Sequence, residues 1–140
     1  MEQGKINKNT FVVCNGFKRD QYVANIARLI NNGHKNTIPV IDNFEELDLL
    51  QEEIDGKFKI GIRIAAEEEP KFEFYTSRLG IGYKDIVPFY RKQIADNKKV
   101  ELKMLHFFIN AGIRDTAYYW NELLKCMKVY IALKKECPSL

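Results

Sequence analysis

The sequence predicts an α/β fold of four consecutive βα units with parallel strands, part of a (β/α)8 barrel. Two observations carry this expectation. Short apolar runs rich in β-branched residues alternate four times with longer stretches of helical periodicity, the pattern of parallel strands joined by right-handed crossovers. The third and fourth strands each combine an apolar face with a more polar one, as strands lining a barrel do near its mouth.

Thr10 to Cys14 is the first strand, ended by Asn15-Gly16. Arg19 to Asn32 follows as a helix, with Tyr22, Val23, Ile26, Leu29 and Ile30 at helical spacing and Gly33 as its stop. Thr37 to Ile41 is the second strand, in which Pro39 counts against a central place because proline cannot donate to a ladder. Asp42 or Asn43 is expected to cap a helix whose stripe is Phe44, Leu47, Leu50 and Ile54. From Phe58 to Ala66 the third strand alternates Phe58, Ile60, Ile62 and Ile64 with Lys59, Gly61, Arg63 and Ala65. A long connection, Glu67 to Gly82, leads to a helix near Tyr83 to Asp96, with Pro88 in its first turn, where a missing N–H is tolerated. Val100 to Ile109 is the fourth strand, with Leu105, Phe107 and Ile109 on one face and Met104, His106, Phe108 and Asn110 on the other. After Asn110-Ala111-Gly112, Asp115 is expected to cap the longest helix. Its core-facing stripe would be Trp120, Leu123, Leu124, Met127, Tyr130 and Ile131, and Cys137-Pro138 ends it.

Two architectures accommodate this order, a small open doubly wound sheet and a segment of a barrel, and spacing does not choose between them. The third strand favours the barrel. An open sheet covered by helices on both faces wants both faces apolar, whereas Lys59, Gly61, Arg63 and Ala65 form a small and cationic face. A complete barrel takes about 200 residues or more, so residues 1–140 are expected to be a partial (β/α)8 barrel, a fragment.

Of the 140 residues 46% are hydrophobic and 29% charged, ordinary for a folded domain and unlike disordered or collagen-like chains. No apolar run nears the roughly 18 residues of a membrane-spanning helix, and Met1-Glu2-Gln3-Gly4-Lys5 lacks a signal-peptide core. The expectation is a cytoplasmic protein with no membrane partner. A formal charge of +3, interleaved with acids, argues against a nucleic-acid partner. Cys14, Cys126 and Cys137 match no zinc or redox spacing and read as free thiols. With His34 and His106 as the two histidines, no metal cluster is expected.

Arg63 lies near the carboxyl end of its strand on the polar face, and a buried guanidinium needs a carboxylate or phosphate partner. A neighbouring strand's acid and an anionic ligand stand there at even odds. His106 reads most simply as a neutral core imidazole with one hydrogen bond, and Phe108 as a core ring. Glu67-Glu68-Glu69 reads as a solvated loop. Leu79-Gly80-Ile81-Gly82 is a weak likeness of a phosphate-binding turn, since it does not directly follow a strand. Asn15-Gly16-Phe17-Lys18 sits at a βα junction, where a plain turn is the commoner reading. No nucleophile–base pair or carboxylate dyad is present in the sequence, so the residues by themselves disclose no reaction.

Four motifs taken together add to this. Val13-Cys14-Asn15-Gly16-Phe17-Lys18, Gly61-Ile62-Arg63-Ile64-Ala65, Ser77-Arg78-Leu79-Gly80 and Leu105-His106-Phe107-Phe108, in that order, resemble the biosynthetic arginine decarboxylases. These are pyridoxal-phosphate enzymes of the alanine-racemase-like class. Lys103 to Asn110 (Lys-Met-Leu-His-Phe-Phe-Ile-Asn) and Asp115 to Trp120 (Asp-Thr-Ala-Tyr-Tyr-Trp) point to one branch of that family. The resemblance implies a (β/α)8 barrel followed by a β-domain, a homo-oligomer, pyridoxal phosphate at the barrel's carboxyl mouth, and decarboxylation of L-arginine to agmatine in polyamine biosynthesis.

Residue by residue, it places Arg63 beside the cofactor. It puts Phe108 where many relatives have a histidine stacked on the pyridine ring, and Ala111 where many have a phosphate-contacting serine. Arg78 replaces the lysine of a Ser-Lys-Phe-Gly motif. No catalytic residue is assigned: nothing before Phe11 matches the motif of the lysine that binds the cofactor covalently, and Lys5, Lys8 and Lys18 lie outside it. The chain alone is therefore expected to be inactive. The competing expectations are a non-catalytic small α/β binding module, or a piece of a related diaminopimelate or carboxynorspermidine decarboxylase.

Overall fold

The computed structural model describes residues 7–66, 79–109 and 116–140. The elements run β1 (Val12–Cys14), α1 (Asp20–Asn31), β2 (Thr37–Ile41), α2 (Glu45–Glu53), β3 (Phe58–Ile64), α3 (Ile86–Phe89) continuing into a π-helical turn (Tyr90–Ile94), β4 (Val100–Phe107) and α4 (Thr116–Lys134). The four strands form one parallel sheet in the order β1-β2-β3-β4.

That order decides between the two architectures. Every crossover advances to the next strand in the same direction, and with right-handed crossovers all helices then fall on one face. A doubly wound sheet would reverse direction once. The sheet is a four-strand arc of a barrel wall, not closed on itself.

The core lies between the helices and the face carrying Phe58, Ile60, Ile62 and Ile64 of β3 and Leu102 of β4. Val23, Ile26 and Ile30 of α1 and Leu47 and Leu50 of α2 pack into the same cluster. The opposite, inner face begins apolar with Ile38 and Val40, both buried. There Gly61 permits close approach of its neighbours: a Cβ on it would lie 3.1 Å from Val40 Cγ2 and 3.3 Å from Met104 Cβ, a tight fit. β3 and β4 shift register between Ile60 and Gly61. This bulge keeps Leu105 and Phe107 on the helix face and Met104 and His106 on the inner one.

Two expectations need correction. β2 is central despite Pro39, because it pairs with β1 through Pro39 whereas its ladder with β3 is formed at Val40 and Ile41, beyond the proline. Of the two candidate caps for α2, Asn43 takes the role, its Oδ1 accepting from the Glu46 N–H at 3.0 Å. The larger departure is α4. Its buried residues are Glu122, Val129 and Leu133, while Trp120, Leu124, Met127, Tyr130 and Ile131 are exposed. At 100° per residue Trp120, Leu124, Met127 and Ile131 lie on the side of the helix opposite the buried set, with Tyr130 on its flank. The helix is apolar all round, so periodicity did not say which side faces the sheet, and a Glu122–Lys125 ion pair (2.7 Å) lets the side carrying the acid go in. Asp115, the expected cap, lies outside the described residues.

The α4 orientation is testable by urea denaturation. Leu133→Ala removes a fully buried side chain and is expected to cost about 2–5 kcal/mol. Ile131→Ala, on the exposed side, is expected to stay within about 0.5 kcal/mol.

Candidate functional site

The carboxyl ends of the parallel strands gather polar side chains, from the loops after β1 and β2 and from the last residues of β3 and β4, the place where such folds carry their ligands. The first two junctions are tied together below the surface. Lys18, which follows β1, is fully buried, and its ammonium donates to Gly16 O (2.9 Å), Val40 O and Glu46 Oε2 (3.1 Å). Glu46, also buried, accepts in addition from the Lys18 N–H (2.9 Å) and the Asp42 N–H (2.8 Å). All three ammonium protons are therefore in use, and Lys18 is a structural tether with none of the freedom of a nucleophile. Burial pushes the Cys14 thiol up, with Lys18 opposing, so this cysteine is no reactive thiolate either.

Above the tether, the strand register sets Arg63 opposite His106 and carries Asp42, just past the Ile41–Ile62 pair, alongside Arg63. Arg63 Nη1 is 3.7 Å from Asp42 Oδ1, both side chains nearly without exposure. The pairing is electrostatic but too long for a hydrogen bond. Both Asp42 carboxylate oxygens, Arg63 Nε and His106 Nδ1 are buried and make no hydrogen bond among the described residues. Burial pushes the Asp42 carboxyl up, Glu46 adds to this, and Lys18 and Arg63 hold it back. His106 takes one hydrogen bond at Nε2, from Asn15 Nδ2 at 3.3 Å, which puts its proton on Nδ1. Burial and then the Arg63 charge push its pKa below the usual histidine value of 6.5, while Asp42 opposes them.

Phe108, 48% exposed, stands with its ring centroid 5.5 Å from the Arg63 guanidinium. It is an open ring face at the strand ends and no core residue. The segment at Gly80 completes the rim. Gly80 N–H donates to Asp42 O (3.1 Å), Ile81 N–H to Arg63 O (2.8 Å), and Ala65 N–H to Ile81 O (2.9 Å). The turn thus wedges between the ends of β2 and β3. Gly80 has φ +106°, and a Cβ there would lie 2.7 Å from Ala65 N, so only glycine fits.

Of the residues singled out in the sequence, the structure brings Arg63 and Phe108 together, while Ala111, Ser77-Arg78 and Glu67-Glu68-Glu69 lie outside the described residues. The carboxylate alternative for Arg63 is realised by Asp42, which the sequence offered only as one of two candidate helix caps. Register is the signal that finds it, since Asp42 and Arg63 each lie just beyond the residues paired across β2 and β3. Asn15 as the partner of His106, and Glu46 as the partner of Lys18, carry no local signature. Among the described residues no group of three or more metal-binding side chains is present, and no helix is long and apolar enough to cross a membrane.

Comparison with known proteins first defines the fold. The chain superposes on alanine racemase from Clostridium difficile 630, in complex with cycloserine, with a TM-score of 0.58 and 10% identity, over 88% of this chain and 31% of that one. The fold is an alanine-racemase-like α/β arrangement. No family model matches the sequence. Among curated proteins, the chain is similar to the biosynthetic arginine decarboxylase of Prochlorococcus marinus (strain MIT 9215), 27% identical over 92% of this chain and 21% of the relative. The corresponding protein of Rhodopirellula baltica is 26% identical over 89% of this chain and 20% of its own length. The arginine decarboxylase of Avena sativa is 29% identical over 94% of this chain and 23% of its own length. The likeness read from the motifs thus runs through nearly all of this chain, which spans about a fifth of the length of the curated relatives it matches.

The electrostatic coupling gives an NMR prediction. Arg63→Gln is expected to raise the His106 pKa toward 6.5 and Asp42→Asn to lower it further, following their opposite effects on the imidazole. Shifts of the same sign in both variants would contradict the geometry. Since the folded state prefers neutral His106, its contribution to stability is complete above the ordinary value of 6.5 and is lost as pH falls through that value toward the lowered one.

Proposed function

We propose that residues 1–140 form the part of a pyridoxal-phosphate-binding barrel that faces the cofactor in an arginine decarboxylase. The whole enzyme would take L-arginine to agmatine and carbon dioxide as a cytoplasmic homo-oligomer in polyamine biosynthesis. The observation that carries this reading is the constellation of Arg63, Asp42 and Phe108 at the strand ends, with buried polar atoms left without partners. It occurs in a chain similar to arginine decarboxylases along most of its length.

These residues suit the cofactor. Arg63 presents a fixed cation to an electron-rich heteroatom or anionic group, with Asp42 holding the guanidinium from behind. Phe108 offers a flat apolar face against which an aromatic ring can stack, but no exchangeable proton. The neutral His106, steadied by Asn15, keeps a second positive charge away from Arg63. The resemblance puts Ala111 where many relatives have a phosphate-contacting serine, and alanine has no hydroxyl to donate. When bound, pyridoxal phosphate supplies the electron sink for the bond electrons released as carbon dioxide departs.

On the same reading these residues do not carry out the reaction by themselves. Lys18 is consumed by its three acceptors, and Lys8 lies beside Gly33, near the starts of the strands. Agmatine produced by the purified chain with added cofactor, above the level of a Lys18→Ala control, would contradict this. Cofactor contact is checked by equilibrium dialysis with pyridoxal phosphate. Arg63→Gln is expected to weaken retention about tenfold, the loss of one charge-assisted contact, and Lys92→Gln, on the exposed surface, to leave it unchanged.

A further inference from the structure

The opposite pole of the sheet carries a second, chemically distinct feature. A cavity of about 460 Å³ is lined by Lys35, Lys57, Lys59, Lys98, Lys99 and Glu101, with Phe58 and Val100 also bordering it. Its origin is topological. In a parallel sheet all strands start at one end, and the three turns that lead into β2, β3 and β4 each carry lysine at that point, Lys35, Lys57 and Lys98-Lys99, joined by Lys59 from the start of β3. The modest overall charge of +3 conceals this concentration: Asp55 and Asp96 lie in the same turns and Glu52 and Glu53 at the nearby end of α2, but Glu101 is the one acid that lines the cavity.

The pole is a built surface rather than a loose fringe. Lys59 Nζ is held by Asn36 Oδ1 at 2.7 Å, and Lys99 Nζ by Gln51 O. Asn97 fixes the last turn, donating to Gln51 Oε1 (2.6 Å) and accepting from the Lys99 N–H (2.9 Å). Phe58 and Val100 are buried and give the cavity rigid walls. Glu101, the one acid in the lining, pairs with Lys103 at 3.0 Å. Lys35, Lys57 and Lys98 are exposed and make no hydrogen bond or ion pair among the described residues.

We infer that this amino-terminal pole is a binding site for a compact polyanion, an oligophosphate chain carried free or on a nucleotide. Several ammonium groups around one concavity repel one another, and a ligand of three or more closely spaced negative charges turns that repulsion into attraction. Lysine binds phosphate as a point charge from any direction, which suits a short flexible chain. The volume falls in the range of small-molecule sites. An extended nucleic-acid surface would instead need exposed aromatic platforms or a basic stripe, and Phe58, the aromatic ring of this cavity, is buried.

The test is calorimetric titration of the chain with sodium tripolyphosphate at low salt. The triple variant Lys35→Gln, Lys57→Gln, Lys98→Gln is expected to weaken binding at least about tenfold. A control triple of exposed lysines elsewhere, Lys92→Gln, Lys128→Gln, Lys135→Gln, should change it less than about twofold. Thermal melts of both triples verify the fold. Equal losses in the two triples, or loss of tripolyphosphate binding on Arg63→Gln instead, would overturn the assignment. So would binding of an eight-nucleotide RNA in the absence of tripolyphosphate binding. Metal-free ATP separates the sources: affinity within about threefold of tripolyphosphate assigns the pole to the phosphate chain alone, and a tenfold preference for ATP assigns it to nucleotides.

Discussion

One buried ion pair holds the carboxyl pole together. Glu46 accepts from two backbone N–H groups and one ammonium, and the Lys18 ammonium closes onto two carbonyls from separate strand ends. Charges removed from water are tolerated only with such complete pairing. The pair replaces what packing does elsewhere in the chain: it fixes the distance between the β1 and β2 loops. By fixing the Asp42 backbone it also fixes the carboxylate against which Arg63 rests.

The second constraint is strand order. With all helices on one face, the inner face is excused from packing and grades from apolar residues such as Ile38 and Val40 to charged ones such as Asp42 and Arg63. The same order makes the two ends of the sheet chemically unlike. Loops after the strands gather acids, amides and an arginine in a shielded cluster, while turns before the strands gather lysines at the surface.

Much of this was legible in the sequence, for definite reasons. The third strand's isoleucines alternate so cleanly that both its faces and the exceptional position of Arg63 could be read. β2 and α1 fell within a residue or so of their expected bounds, because a β-branched run and a regular apolar stripe leave no competing arrangement. What could not be read depended on pairs distant along the chain. Nothing near Asp42 announces Arg63, nothing near Asn15 announces His106, and Lys18 looks like any loop lysine until Glu46 is laid against it. Pro39 misled because a proline forbids hydrogen bonds at one residue, not along a whole strand. The Gly80 turn, discounted for lying far from a strand in sequence, returns to the strand ends in space.

α4 shows what happens when a helix has apolar residues on every side. Glu122, Val129 and Leu133 face inward, and half a turn away Trp120, Leu124 and Ile131 form an equally regular stripe. Apolar patterning by itself therefore does not select one rotational setting of this helix. The choice falls to a few directional contacts: Glu122 with Lys125, and Arg91 and Tyr90 reaching Glu136 just beyond the helix. The rotational setting of this last helix is thus fixed by which charges find partners as much as by which apolar side chains are buried, and an apolar stripe is left facing outward.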